Sequence, residues 1–251
     1  MKITDIKLEP CIMRKEDPTW RFALGASPIT EGLIVSIETD EEITGYGYAS
    51  ATAHMGASME GLTGTLERLI PHVKEHDALS MAAIRVTMDR ALSGNNQAKA
   101  AIDNALFDLA AKSMNVPLHR LFGGAVRTEF PVLRILAIKQ PDEMAEQAQI
   151  LFDQGYRYFK IKVHGEVDLD IARVTAIRKR LGDEANLTVD ANQAYSPKDA
   201  IAALNGMAEY RIDLVEQPVA IDDYKGMKLV TDSVPVTVEA DESAGSIQEV
   251  A

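Results

Sequence analysis

The sequence predicts a chain in two parts, an α+β segment followed by a β/α array, and three patterns carry that expectation. Glu31–Thr39 is rich in β-branched residues and is answered by Ile43–Ala49 across an Asp40-Glu41-Glu42 turn, which reads as an antiparallel meander. Over Gln97–Lys112, Ala98, Ala101, Ile102, Ala105, Leu106 and Leu109 fall on one face of a helix. From Phe130 onward, strand-like and helix-like segments alternate at a period of roughly 25 residues.

In chain order, Lys2–Met13 alternates in part and makes the first strand of the meander. Arg14–Pro28 is a polar loop holding Pro18, Trp20, Phe22 and Gly25, and Ser50–Ser58 is a second loop with His54 and Gly56. Ser93, Asn95 and Asn96 offer caps to the Gln97 helix, and Pro117 with Gly123-Gly124 punctuates the chain before a boundary near Val126. Then come a strand at Pro131–Ala137 and a helix from Pro141 to a stop at Gly155. Tyr158–Val163 is a strand, and Asp168–Leu181 is a helix with Ile171, Val174, Ile177 and Leu181 on one face. A strand at Asn186–Asp190, a helix from Ser196-Pro197, a strand at Arg211–Val215, a short helix at Tyr224–Thr231 and a strand at Pro235–Glu239 complete the array. An open doubly wound sheet and a (β/α) barrel both fit; no Gly-x-Gly-x-x-Gly follows any strand, which weakens the dinucleotide-binding option.

Composition narrows the classes of function. With 251 residues, 46% hydrophobic and 25% charged, the chain can bury a sizeable core and is neither fibrous nor mostly disordered. A net charge of -12 repels phosphate backbones, so no nucleic acid is expected. A single cysteine, Cys11, excludes an internal disulfide and a cysteine-built zinc site, and reads as a small buried side chain. No signal-peptide core and no run of membrane-spanning length is found, so the expected compartment is the cytoplasm, with no membrane partner.

The strand ends carry the chemistry. They read Lys160-Ile161-Lys162, Asp190-Ala191-Asn192, Glu216-Gln217-Pro218 and Asp241-Glu242-Ser243. A side-chain period of two puts Lys160 and Lys162 on one face. Asp190, Glu216 and Asp241 would converge as hard oxygen ligands whose mutual repulsion a divalent cation resolves; Mg²⁺ suits such a set and Mn²⁺ can substitute. Lys160 beside Lys162 would favour its neutral form, making a base next to a cation. Any one acid alone reads as a helix cap or a solvated group. Three acids spaced by 26 and 25 residues, after a lysine 28 residues earlier, make a metal site the better reading.

With these residues the sequence resembles the enolase superfamily, in its muconate-lactonizing-enzyme-like subgroup (the mandelate racemase/muconate lactonizing enzyme family). The helix Ala98–Leu109 and the segment Pro117-Leu118-His119-Arg120-Leu121-Phe122-Gly123-Gly124 are also similar to the family's N-terminal domain and its lead into the barrel. The resemblance implies an α+β capping domain, residues 1–125, followed by a modified (β/α)7β TIM-like barrel whose first part is residues 126–251. It implies Asp190, Glu216 and Asp241 as Mg²⁺ ligands, Lys162 as the acid/base and Lys160 as its electrostatic partner, with Asn192 and Glu242 just behind them. The loops Arg14–Pro28 and Ser50–Ser58 match the family's capping loops, which makes Trp20, Phe22, His54 and Met55 candidate specificity residues. Arg134, on the first barrel strand, is a further candidate, for a substrate carboxylate or a structural ion pair.

The resemblance implies an enzyme that abstracts the α-proton of a small carboxylate substrate, through an enediolate, with racemisation or epimerisation of an amino-acid derivative as the leading outcome. A cycloisomerase, a dehydratase, and a non-catalytic carboxylate- or metal-binding protein are the alternatives. Homo-oligomers are common in the family. Its members place a second lysine one strand further on, roughly one β/α period after Asp241, which falls beyond Ala251. The expectation is therefore a fragment of a longer protein or a truncated product.

Overall fold

The computed structural model describes residues 1–250. After β1 (Ile3–Arg14) the chain makes a small hairpin, β2 (Arg21–Phe22) and β3 (Gly25–Ala26), then returns as β4 (Ile29–Thr39) and β5 (Thr44–Ser50). Two compact units result. The first is Met1–Pro18 with Ile29–Thr128, and the second is Thr19–Pro28 with the chain from Glu129 onward. The hairpin thus belongs to the second unit, an association between distant segments that no single boundary in the sequence expresses.

In the first unit β1, β4 and β5 form an antiparallel sheet in that order, with Leu8 opposite Val35 and Cys11 opposite Gly32. Cys11 is half-buried rather than sunk in the core. Three helices follow: α1 (Met59–Val73), α2 (Met81–Ala91) and α3 (Asn96–Ser113). Ser58 caps α1 by accepting from the Gly61 N–H at 3.1 Å. The inward residues Ile3, Leu33, Val35 and Ile37 pack with Leu66, Leu69, Ile102 and Leu106. Helix α3 lies on β5 closely enough that a Cβ at Gly47 would stand 1.9 Å from the Ala101 carbonyl oxygen, so the contact needs glycine there. His54 and Met55 lie exposed on a 3-10 turn, Ala53–Met55.

The second unit alternates β6 (Leu133–Leu136), α4 (Pro141–Asp153), β7 (Tyr158–Lys162), α5 (Val167–Leu181), β8 (Asn186–Asp190), α6 (Pro197–Met207), β9 (Ile212–Glu216), α7 (Tyr224–Ser233) and β10 (Thr237–Glu239). Every neighbouring pair is parallel, and the strands run in sequential order from β6 to β10. A doubly wound sheet reverses its order at a switch point; this one does not, which selects barrel-type winding. Phe159, Ile161, Leu187, Val189 and Val215 bury against Val174, Ile177, Leu204 and Met207. Among the described residues no helix is long and apolar enough to cross a membrane.

Candidate active site

Parallel pairing sets Lys162 beside Asp190, Asp190 beside Glu216, and Glu216 beside Glu239. This row closes the carboxyl ends of β7 to β10. Lys162 is buried and donates to Asp190 and, at 2.6 Å, to Asn192 Oδ1. Lys160 donates to Glu216 and lies 3.8 Å from Asp190. Asn192 is held in turn: its N–H donates to Asp190 Oδ1 at 3.0 Å and its Nδ2 to Glu242 Oε1 at 3.3 Å. The Phe22 ring of the hairpin lies 5.6 Å from Lys162 Nζ, within cation–π range, and Trp20 packs on Phe22 with ring centroids 5.7 Å apart. The hairpin is fixed there by Ile138 N–H, which donates to the Arg21 carbonyl at 3.0 Å.

Asp241 lies just past the β ladder. The strand-row member on β10 is Glu239, and Asp241 follows two residues after the strand, exposed. Glu242 instead turns inward: it is buried, and its Oε2 has no partner. Among the described residues no three His, Cys, Asp or Glu side chains cluster closely enough to enclose a metal ion, and lysines bond Asp190 and Glu216. Burial pushes the Glu216 carboxyl above the usual range; Lys160 opposes that, and Asp190 and Asp241 reinforce it. Burial works against the Lys160 ammonium, but Glu216, with Asp190 and Glu239, outweighs it and holds the lysine above its usual range. In this arrangement Lys160 is therefore a counter-charge to Glu216.

Arg134 takes a structural place, with a tyrosine rather than an acid as its partner. Its register partner is Phe159, three residues before Lys162, and its guanidinium lies over the Tyr156 ring with a 3.3 Å bond to the Tyr156 hydroxyl. It bonds Tyr156, before β7, and shares the face of Phe159 rather than the opposite face, which carries Lys160 and Lys162. His54 and Met55 belong to the first unit and are placed with it alone.

Behind the mouth lies a buried network that no motif in the sequence marks. Asp170 in α5 is fully buried and accepts from Tyr195 Oη at 2.7 Å, Gly165 N at 3.0 Å, His164 N at 3.3 Å and Arg173 at 2.5 Å. It ties the loop after Lys162 to the loop after Asn192. Gly165, with φ +90°, lets Ala194 approach so closely that a Cβ would stand 2.6 Å from its carbonyl oxygen. Burial, then the Asp170 charge, pushes the Tyr195 phenol far above its usual range, so it stays a donor. A cleft of about 530 Å³ opens in this unit beside His164, lined by Arg21, Lys139, Glu143, Glu166 and Arg173.

Two family models match the chain. "Mandelate racemase / muconate lactonizing enzyme, N-terminal domain" covers residues 10–123, and "Enolase C-terminal domain-like" covers residues 143–251. An N-succinyl-L-Arg/Lys racemase of Bacillus cereus is 35% identical over 253 aligned positions, covering 100% of this chain and 68% of the relative. The chain belongs to the mandelate racemase/muconate lactonizing enzyme family of the enolase superfamily. A hydrophobic dipeptide epimerase of Enterococcus faecalis is 36% identical, covering 99% of the chain and 70% of the relative. The crystal structure of an Enterococcus faecalis dipeptide epimerase, complexed with Mg and L-Leu-L-Tyr, matches with a TM-score of 0.93 at 36% identity over 99% of this chain and 70% of that one. A Pseudomonas fluorescens muconate lactonizing enzyme complexed with muconolactone matches at 0.93 with 30% identity, over 99% and 68%. The fold is the family's: an α+β domain followed by strands of a modified TIM-like barrel. Structures in this family hold Mg and small-molecule dipeptides.

Proposed function

We propose that the protein removes the α-proton of a carboxylate substrate and returns a proton to racemise or epimerise an amino-acid derivative, an N-acylated amino acid or a dipeptide. The observation that carries this reading is the row Lys162, Asp190, Glu216, two buried acids with two lysines directed at them. The donor set suits a divalent cation. Burial, with Asp190 and Asp241 adding to it, raises Glu216, and the buried Glu242 Oε2 lacks a partner; Asp190, Glu216, Asp241 and Glu242 are four acids at a mouth that holds two lysines. Asp190, Glu216 and Asp241 would hold Mg²⁺, with Mn²⁺ as a substitute, while Asn192 and Glu242 orient Lys162 and the acids. When bound, the cation supplies positive charge to a substrate carboxylate as it takes up electron density.

The chain's own groups perform the proton-abstraction half; returning a proton to the opposite face falls to the second lysine that the family resemblance places one strand after Asp241. Lys162 takes the proton at Nζ, steadied by Asn192. Lys160 supplies fixed positive charge beside it. The aromatic pair Trp20 and Phe22 excludes water from Lys162 and contributes to substrate choice; His54 and Met55 are specificity candidates on the strength of the family resemblance. The first unit is proposed as the capping domain, and the working setting is a cytoplasmic homo-oligomer without nucleic-acid partners. In D₂O, incorporation of deuterium at the substrate α-carbon should require Mg²⁺ or Mn²⁺ and stop with EDTA. A lactone or a dehydrated product in place of the epimer would move the assignment to a cycloisomerase or a dehydratase.

A further inference from the structure

Immediately after Glu216 the chain leaves β9 with Gln217 at φ +36°, in the left-handed region. Gln217 is fully buried, and its side-chain amide is saturated. Oε1 accepts the N–H groups of Asp241 at 3.0 Å and Ser243 at 3.2 Å. Nε2 donates to Ser243 Oγ at 2.7 Å and to the Val219 carbonyl at 3.0 Å. Ser243 Oγ donates onward to the Ile221 carbonyl at 2.7 Å. The orientation of the amide is forced, because exchanging its O and N would set an NH₂ group against two backbone N–H groups. Its backbone is engaged as well: Gln217 N–H donates to Glu239 O at 2.9 Å, and Gln193 N–H donates to Gln217 O at 2.8 Å.

One residue thus joins the loop after β8, the end of β9 and the segment after β10. Asp241 has left the strand and is exposed, so the β ladder does not place it. We propose that Gln217 is a positioning residue that fixes the backbone carrying Asp241 at the mouth, and so sets the affinity of the site for a divalent cation. The second half of this statement rests on the reading of Asp190, Glu216 and Asp241 as cation ligands. The first half does not.

Gln217→Met keeps the length of the side chain and removes all four bonds; Ser243→Ala removes one of the four, together with the Ser243–Ile221 bond, and is the milder variant should Gln217→Met fail to fold. Val230→Ala, a buried core truncation in α7, is the control for general destabilisation. Amide hydrogen exchange is read on metal-free protein, and Mg²⁺ alone is titrated by calorimetry. Gln217→Met should speed exchange at the Asp241 and Ser243 amides and weaken Mg²⁺ binding, each by about tenfold or more. Ser243→Ala should shift both in the same direction by a smaller factor. The Val230→Ala control should leave both nearly unchanged despite its lower Tm. Protected Asp241 and Ser243 amides in a folded variant would overturn the proposal. An equal loss of Mg²⁺ affinity in the control would reduce Gln217 to an ordinary core residue. If the parent protein binds no Mg²⁺, the cation-site reading fails, and the exchange of the two amides still decides the role of Gln217.

Discussion

Replacing Asp170 tests whether the loops bearing the site are held by one buried carboxylate. Asp170→Ala strands the Tyr195 hydroxyl and two backbone N–H groups, and leaves the buried Arg173 with its bond to the Lys139 carbonyl at 2.9 Å. Removing one partner of a buried ion pair costs about 3–5 kcal/mol. That is a large share of a typical stability of about 5–15 kcal/mol. Asp170→Asn keeps the shape and one acceptor for Tyr195, but turns an NH₂ group toward donors, and should cost about 1–3 kcal/mol. The single tryptophan, Trp20, belongs to the same unit, so urea unfolding followed by its fluorescence reports on this unit. The order Ala worse than Asn worse than Asp is expected. A cost below about 1 kcal/mol for Asp170→Ala, or equal costs for the two variants, would refute the argument.

Two further predictions concern the first unit. Gly47→Ala drives a methyl into the Ala101 carbonyl, so α3 must move off β5; thermal unfolding should show a loss of about 1–3 kcal/mol, and an unchanged Tm would contradict the close contact. Asp5, Glu75 and Asp77 all sit below the usual carboxylate range: Asp5 through its hydrogen bond from Lys74, Glu75 through Lys2, and Asp77 through the Leu79 N–H. A lowered folded-state value gives stability that is present above the unfolded value, about pH 4, and is lost as pH falls through the folded one. The triple variant Asp5→Asn, Glu75→Gln, Asp77→Asn should therefore melt below the parent at pH 7, with the gap closing on acidification; a gap independent of pH would contradict it.

The β/α array was legible because each unit repeats a short apolar strand and a helix with one buried stripe, as Val174, Ile177 and Leu181 show. The row Lys162, Asp190 and Glu216 is legible because parallel pairing puts strand ends side by side; Asp241, past the end of β10, is not placed by it. Helices α1 and α2 are weakly marked in the sequence: Leu62, Leu66, Leu69 and Val73 have helical spacing, but Gly61, Gly64 and Pro71 within α1 argue against a helix, and α2 buries only Ile84 and Met88. What stayed hidden depends on partners distant in sequence. Asp170 reads as an ordinary first-turn acid of α5 until Tyr195 closes over it. Gln217 reads as a loop residue until the backbone of Asp241 and Ser243 reaches its amide. Arg134 looked available because its partner Tyr156 lies across a helix in the chain.

Lys162 as the base is tested by comparing the parent protein with Lys162→Ala, both saturated with Mg²⁺, in D₂O. The loss of the substrate α-proton signal is followed by NMR over a panel of dipeptides and N-acylated amino acids. Exchange with the parent protein is expected, and a fall of about 10²-fold or more in Lys162→Ala with Mg²⁺ binding retained. Exchange at the parent rate in Lys162→Ala would contradict it.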